Sequence, residues 1–202
     1  VQNLILNTMG RTIEEYFVKY QELYKYAEIN VELEKVVSAE QLMATPVAPN
    51  AETGLAYEGS LLCHVANVWH YARLLLPIYN EIKVINPKSL VKVIVLHQLG
   101  KIGMFMPNPE QWQVQKQGKV FAFVENGACL RTGELSKLIC SNAGITFTLE
   151  EYEAMSILDK TGDEYENMSK YRTPLSSILK NASDLAFAFA RKIYNDTLNE
   201  GE

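Results

Sequence analysis

The sequence predicts an all-α fold carrying one small β-hairpin, and three observations lead there. Apolar residues recur at threes and fours through most of the chain, the spacing of one helix face. Strict alternation of apolar and polar residues is confined to a single stretch, WQVQKQGKVFAFV at 112–124. Apolar residues make up 48% of the 202-residue chain and charged residues 21%, enough apolar material for a packed core.

The first helix runs from Thr12 to about Ala27, with Ile13, Tyr16, Phe17, Tyr20, Leu23 and Tyr24 on one face. Thr12 and Glu15 have the spacing of a capping box at its start. A second helix is expected over 31–44, with Leu33, Val36, Val37 and Leu42 as its apolar side. TPVAPNAETG, at 45–54, has two prolines and a glycine and reads as a loop. From Ser60, a candidate N-cap, to about Ile78 a broad stripe of Leu61, Leu62, Val65, Val68, Trp69, Ala72, Leu75 and Leu76 marks the next helix. Asn86-Pro87 then opens a helix that is apolar almost all round through Leu96, as a central buried helix should be. The alternating stretch is expected to turn back at Gln117-Gly118 as the hairpin. Helices return at about 134–142, at about 148–159 behind Thr148, and at about 174–195, with a polar surface loop expected over 160–172. There is no internal repeat and no low-complexity tract.

Composition narrows the function. Acidic residues outnumber basic ones 24 to 19, and no Lys/Arg block is present, which argues against nucleic acid as a partner. No apolar run reaches the roughly 18 residues that span a bilayer, because Lys92 breaks the best candidate, so no membrane association is expected. The N-terminal stretch VQNLILNTMGRTIEEY lacks the pattern of a signal peptide. Cys63, Cys129 and Cys140 are odd in number and sit at no metal-ligand spacing, which fits a reducing, cytoplasmic setting.

The chemistry concentrates in a few polar residues on apolar helices. His97-Gln98 closes the most buried helix in VIVLHQLGKIGMF, His64 lies beside the apolar stripe of its helix, and Asp184 interrupts the last helix. A polar group buried in such a place costs free energy unless it is paired or binds something. Each alone has an ordinary reading as a hydrogen-bonded core residue, and His70 looks exposed. Cys63 beside His64 is no nucleophile–base pair, since neighbours on a helix point about 100° apart, and it reads as a small core hydrophobe.

Together these segments resemble the HD-domain superfamily of metal-dependent phosphohydrolases. GSLLCHVANV fits the family's first ligand helix with His64 in place, and LHQLGKIG matches the His-Asp pair and its following Gly-Lys with His97, Gly100 and Lys101. RTGELSKL keeps Gly133, Glu134 and Ser136, TLEEYEAMSILDK follows the next framing, and PLSSILKNASDLA supplies Asp184. The resemblance covers roughly 55–190 and implies an HD-like helical domain over 51–202, with residues 1–50 as an N-terminal helical extension packed on its core. It further implies a metal held by His64, His97, the pair's acid and Asp184, which activates water, and it places Lys101 near the substrate phosphate.

The departures are as informative as the matches. The acid of the pair is Gln98, whose amide carries no charge, and the family's second-metal histidines fall at Thr132 and about Leu158, beside Asp159. Two readings follow. One is a degenerate, catalytically inactive domain that keeps the pocket for a nucleotide or phosphorylated small molecule, or as a scaffold, and needs no cofactor. There Gln98 satisfies its buried neighbours, and Lys101 pairs with Glu134 or another acid. The other is a phosphohydrolase with one divalent transition metal at His64, His97, Gln98 and Asp184, with Lys101 and Glu134 assisting.

Overall fold

The computed structural model describes residues 11–125, 130–160 and 172–199. Cys129, the first ten residues and nearly all of the loop expected over 160–172 lie outside them. The architecture is mostly helical with one two-stranded antiparallel sheet. Among the described residues no helix is long and apolar enough to cross a membrane.

The helices are α1 (Ile13–Tyr26), α2 (Leu33–Val36), α3 (Ala39–Ala44), α4 (Ser60–Asn80), α5 (Pro87–Leu96), α6 (Gln111–Gln117), α7 (Thr132–Asn142), α8 (Leu149–Ile157) and α9 (Pro174–Asn199). The strands are β1 (Phe105–Pro107) and β2 (Phe121–Phe123). α5 is the hub, packed against α1, α4, α7, α8 and α9, while α9 lies along α4. This is why α5 is apolar all round: Leu90, Val91 and every residue from Val93 to Leu96 are buried. The one charge in its interior, Lys92, reaches Glu151 Oε2 at 2.8 Å and Thr146 O at 2.7 Å. Glu151 also accepts from the Thr148 N–H in the capping box that starts α8. One carboxylate thus serves a helix cap and a largely buried lysine.

The described residues before residue 50 contribute to the same core. Tyr16, Tyr20, Leu23, Tyr24, Leu42 and Val47 are buried in one apolar cluster with the residues of α4, α5 and α9. The Thr12–Glu15 capping box is present.

Three local expectations change. Residues 31–44 form two short helices, because Val37 is extended (φ −160°, ψ 141°) and Ser38 caps α3, its hydroxyl accepting from the Gln41 N–H. Ser60 is the first residue of α4 and does not cap it; Gly59 does, at φ 78°. A side chain there would be strained and would crowd Ile13 and the Met43 carbonyl at 3.0 Å. The Ser60 hydroxyl instead accepts from the Val47 N–H and donates to Leu55 O, pinning the loop ahead of α4.

The hairpin is the third. Residues 111–117 are helical and end at Gly118 (φ 63°), so α6 sits inside the connection, and β2 pairs with β1 in the register Phe105–Phe123, Met106–Ala122, Pro107–Phe121. Asn108 closes this long connection, its amide donating to Lys119 O, its Oδ1 accepting from the Glu110 N–H and its backbone N–H donating to Val120 O.

The end of α5 shows how the hub is anchored. The Tyr20 hydroxyl donates to Val95 O at 2.7 Å, in the last turn, where the helix offers its carbonyls no N–H partner. Tyr20→Phe leaves that buried carbonyl without a donor. We expect it to destabilise the fold by about 1–3 kcal/mol, read as a lower urea midpoint with an unchanged m-value.

Candidate functional site

Because α5 stops inside the core, its exit is polar. The His97 N–H continues the helical ladder to Val93 O, and Gln98 (φ −104°, ψ 2°) turns the chain into a 3-10 turn over Leu99–Lys101. This turn packs against the start of α7 at Gly100, where a Cβ would fall 2.1 Å from Thr132 O and 3.0 Å from Ser136 N. Only glycine permits that approach. Its N–H donates to the Ser136 hydroxyl at 2.8 Å, and that hydroxyl shares its proton between His97 O (2.9 Å) and Thr132 O (2.8 Å).

His97 is thereby held in one tautomer. Its Nδ1 lies 2.7 Å from Ile94 O, and since a carbonyl only accepts, Nδ1 carries the proton and Nε2 presents a lone pair. Burial lowers its pKa to about 4, against the opposing pull of the Ile94 and Val93 carbonyls. His64, fully buried on α4, is held well below its ordinary value by burial, then by His97 and Lys101. The two rings stand 5.9 Å apart, centroid to centroid. His64 Nδ1 and Nε2, His97 Nε2 and Gln98 Oε1 are all buried without a hydrogen-bond partner.

Above them opens a pocket of about 170 Å³ lined by His97, Gln98, Lys101, Asp159, Asp184 and Phe187 together with Thr132 and Lys180. His64 is not on its wall; Phe187 is, with its ring centroid 4.5 Å from that of His64. Lys101 is largely buried and its pKa is lowered by desolvation, with Asp159 opposing. Its ammonium lies 5.3 Å from the Phe105 ring centroid. Asp159 accepts a hydrogen bond from the Gly133 N–H, and burial raises its pKa despite that bond and Lys101.

Of the predicted residues, His97, Gln98, Lys101 and Asp184 share this pocket, and His64 lies behind it. Three expectations need correction. Asp184 does not point inward to ligate: its side chain is 55% exposed and its carboxylate pairs with Lys180, one turn earlier on α9. Lys101 does not pair with Glu134, because the Glu134 carboxylate accepts from the Arg131 N–H and caps α7. The acid whose charge acts on Lys101 is Asp159, on the same pocket wall. Among the described residues no three of His, Cys, Asp and Glu come together as a metal site, so the side chains as arranged do not fit the metal that the resemblance implies. Gln98 also does not satisfy its neighbours, since its own Oε1 is unpartnered.

Sequence reasoning missed Lys180 and Phe187. A signal was available: they stand four before and three after Asp184, on the same face of α9. Cys63 and Cys140 are free and buried in the core, and burial pushes the Cys140 thiol up to about 12. His70 is exposed, edge-on to Tyr71. Compared with known families, curated proteins and solved structures, the chain matches none.

The neutral, buried His97 makes stability depend on pH. Its pKa is about 4 in the folded protein against an ordinary 6.5, so within that window the unfolded chain binds the extra proton. Stability is therefore full above the window and falls as pH drops through it. His64 adds in the same direction, and Asp159, shifted upward, offsets part of the slope. Urea unfolding across this range should show the decline, and His97→Gln should flatten it. Nitrogen-15 NMR at pH 7 should find the His97 ring neutral with the proton on Nδ1.

Proposed function

We propose that this chain is a degenerate, non-catalytic, HD-domain-like helical protein whose pocket binds a phosphorylated small molecule such as a nucleotide. The observation that carries the reading is the fate of the two acids a metal would need. One is replaced by the amide of Gln98, and the other, Asp184, is paired with Lys180 at the pocket rim. Without them, the donors grouped at the floor are two imidazoles and an amide oxygen, and a divalent ion held by these alone lacks compensating negative charge.

What remains supports binding. Lys101 is a largely desolvated cation on the pocket wall, and Lys180 brings a second cation to the same wall. Phosphate oxygens compete well for such ammonium groups when water is excluded. Phe187 offers an apolar surface beside them. The free, buried cysteines support a cytoplasmic setting.

One observation favours the second reading, a metal-dependent phosphohydrolase. The unpartnered nitrogens of His64 and His97 and the Gln98 oxygen are electron-pair donors close to one another, the atoms a transition metal selects.

Metal content and ligand binding separate the two. Protein purified without chelator is expected to hold no stoichiometric transition metal and to hydrolyse neither phosphomonoesters nor phosphodiesters. Adenosine monophosphate should raise its Tm, and Lys101→Gln should weaken that binding about tenfold or more, the loss expected for one charge-assisted contact. About one equivalent of metal, lost on His64→Ala, would transfer the assignment to the enzyme.

A further inference from the structure

The two-stranded sheet is rooted in the pocket wall. Only Ile102, Gly103 and Met104 separate Lys101 from β1. Met104 ties that link at both ends: its N–H donates to Lys101 O, and its carbonyl accepts from the N–H of Val124, just past β2, each at 3.0 Å. Both strands are thereby held beside the lysine.

The register decides which side chains meet there. Directly opposed residues share a face of a sheet, so Phe105 and Phe123 lie side by side, and Pro107 and Phe121 continue the same face. One end of that face is sunk in the protein, with Phe121 buried, while Phe123 keeps 65% of its surface exposed. The Phe105 and Phe123 rings stand 5.1 Å apart between centroids, inclined by 49°. Phe105 also receives the Lys101 ammonium, 5.3 Å from its ring centroid. Cation, half-buried ring and exposed ring form one continuous run that starts on the pocket wall.

A lone exposed phenylalanine needs no explanation. Here the exposed ring is joined through a second ring to a desolvated cation, and the two ends of the run suit different groups. The ammonium suits an anion. An aromatic face suits a planar heterocycle, whichever base it is, because every base has a π-face. Phe105 spaces the ammonium from Phe123 by one ring, and in a nucleotide one sugar ring spaces the phosphate from the base. A sugar phosphate without a base would leave Phe123 in water.

We propose that Phe105 and Phe123 form a base-stacking subsite, so that the ligand of this pocket is a nucleotide held by its phosphate at Lys101 and by its base on Phe123. This rests on the phosphate-binding reading above. It adds selectivity for nucleotides over plain sugar phosphates, with little preference among bases.

Calorimetry on the full chain tests this with adenosine monophosphate and with the same ribose phosphate lacking its base. The natural protein is expected to bind the nucleotide at least about tenfold more tightly. Phe123→Ala should remove most of that advantage by weakening the nucleotide alone, whereas Phe123→Tyr, which keeps a π-face, should retain it. Lys101→Gln should weaken both ligands alike. Should Phe123→Ala fail to fold by circular dichroism, Phe123→Leu, apolar but without a π-face, carries the same expectation. Equal affinity for the two ligands, or an advantage that the loss of the Phe123 ring leaves intact, overturns the subsite while the phosphate reading stands. Binding of neither ligand overturns both.

Discussion

The structure depends on ending a helix inside its own core. α5 is surrounded by five other helices, so its last carbonyls, which no helical N–H can reach, have almost no access to water. Each needs a donor brought from elsewhere in the chain. Tyr20 reaches Val95 O from α1, the His97 ring reaches back to Ile94 O, and Ser136 on α7 reaches His97 O. Two distant parts of the sequence, α1 and α7, are thereby fastened to one helix end, and the His97 ring closes it locally. An unsatisfied carbonyl at any of these positions costs on the order of 1–3 kcal/mol, a large share of a typical domain's net stability.

This constraint accounts for the polar cluster at the exit of the apolar helix. His97 has a structural duty before any chemical one: its Nδ1–H is committed to Ile94 O, so its Nε2 must be a lone pair. Gly100 admits α7 close enough for Ser136 to bridge. Desolvation then follows from the same packing. It keeps His97 neutral, depresses Lys101, and raises Asp159. The pocket's electrostatics are in this sense a by-product of closing α5.

Much of the fold was legible because apolar periodicity reports burial directly. α1 with its capping box, the all-round apolar α5 and the capped α8 follow from residue spacing alone. Misreadings arose where one residue's side-chain bonding overrode the pattern. Ser38 caps a helix in the middle of an expected longer one, and Asn108 organises a connection in which 111–117 coil where alternation implied extension. In the site, residue types identified His97, Gln98 and Lys101 as pocket residues. They could not show which way Asp184 turns, because that depends on Lys180 one turn away and on the packing of α9 along α4. Nor could they reveal that an ordinary core-type phenylalanine stands against His64.

The remaining tension is between two sets of atoms in one small volume. The floor holds acceptors, His97 Nε2 and Gln98 Oε1, which favour a cation or a hydrogen-bond donor. The wall holds Lys101 and Lys180, which favour an anion, set against Asp159 and Asp184. A bare phosphate satisfies only the wall. A phosphorylated molecule that also bears amine or hydroxyl groups can satisfy both, its anionic end on Lys101 and its donors on the floor. Such two-ended matching is where specificity arises, since a ligand lacking either end leaves buried groups unpaired. An aquated divalent cation meets the floor but faces two ammonium groups as well as two carboxylates, those of Asp159 and Asp184, on the wall. The ligand's sign is therefore decided by which of these four groups it contacts.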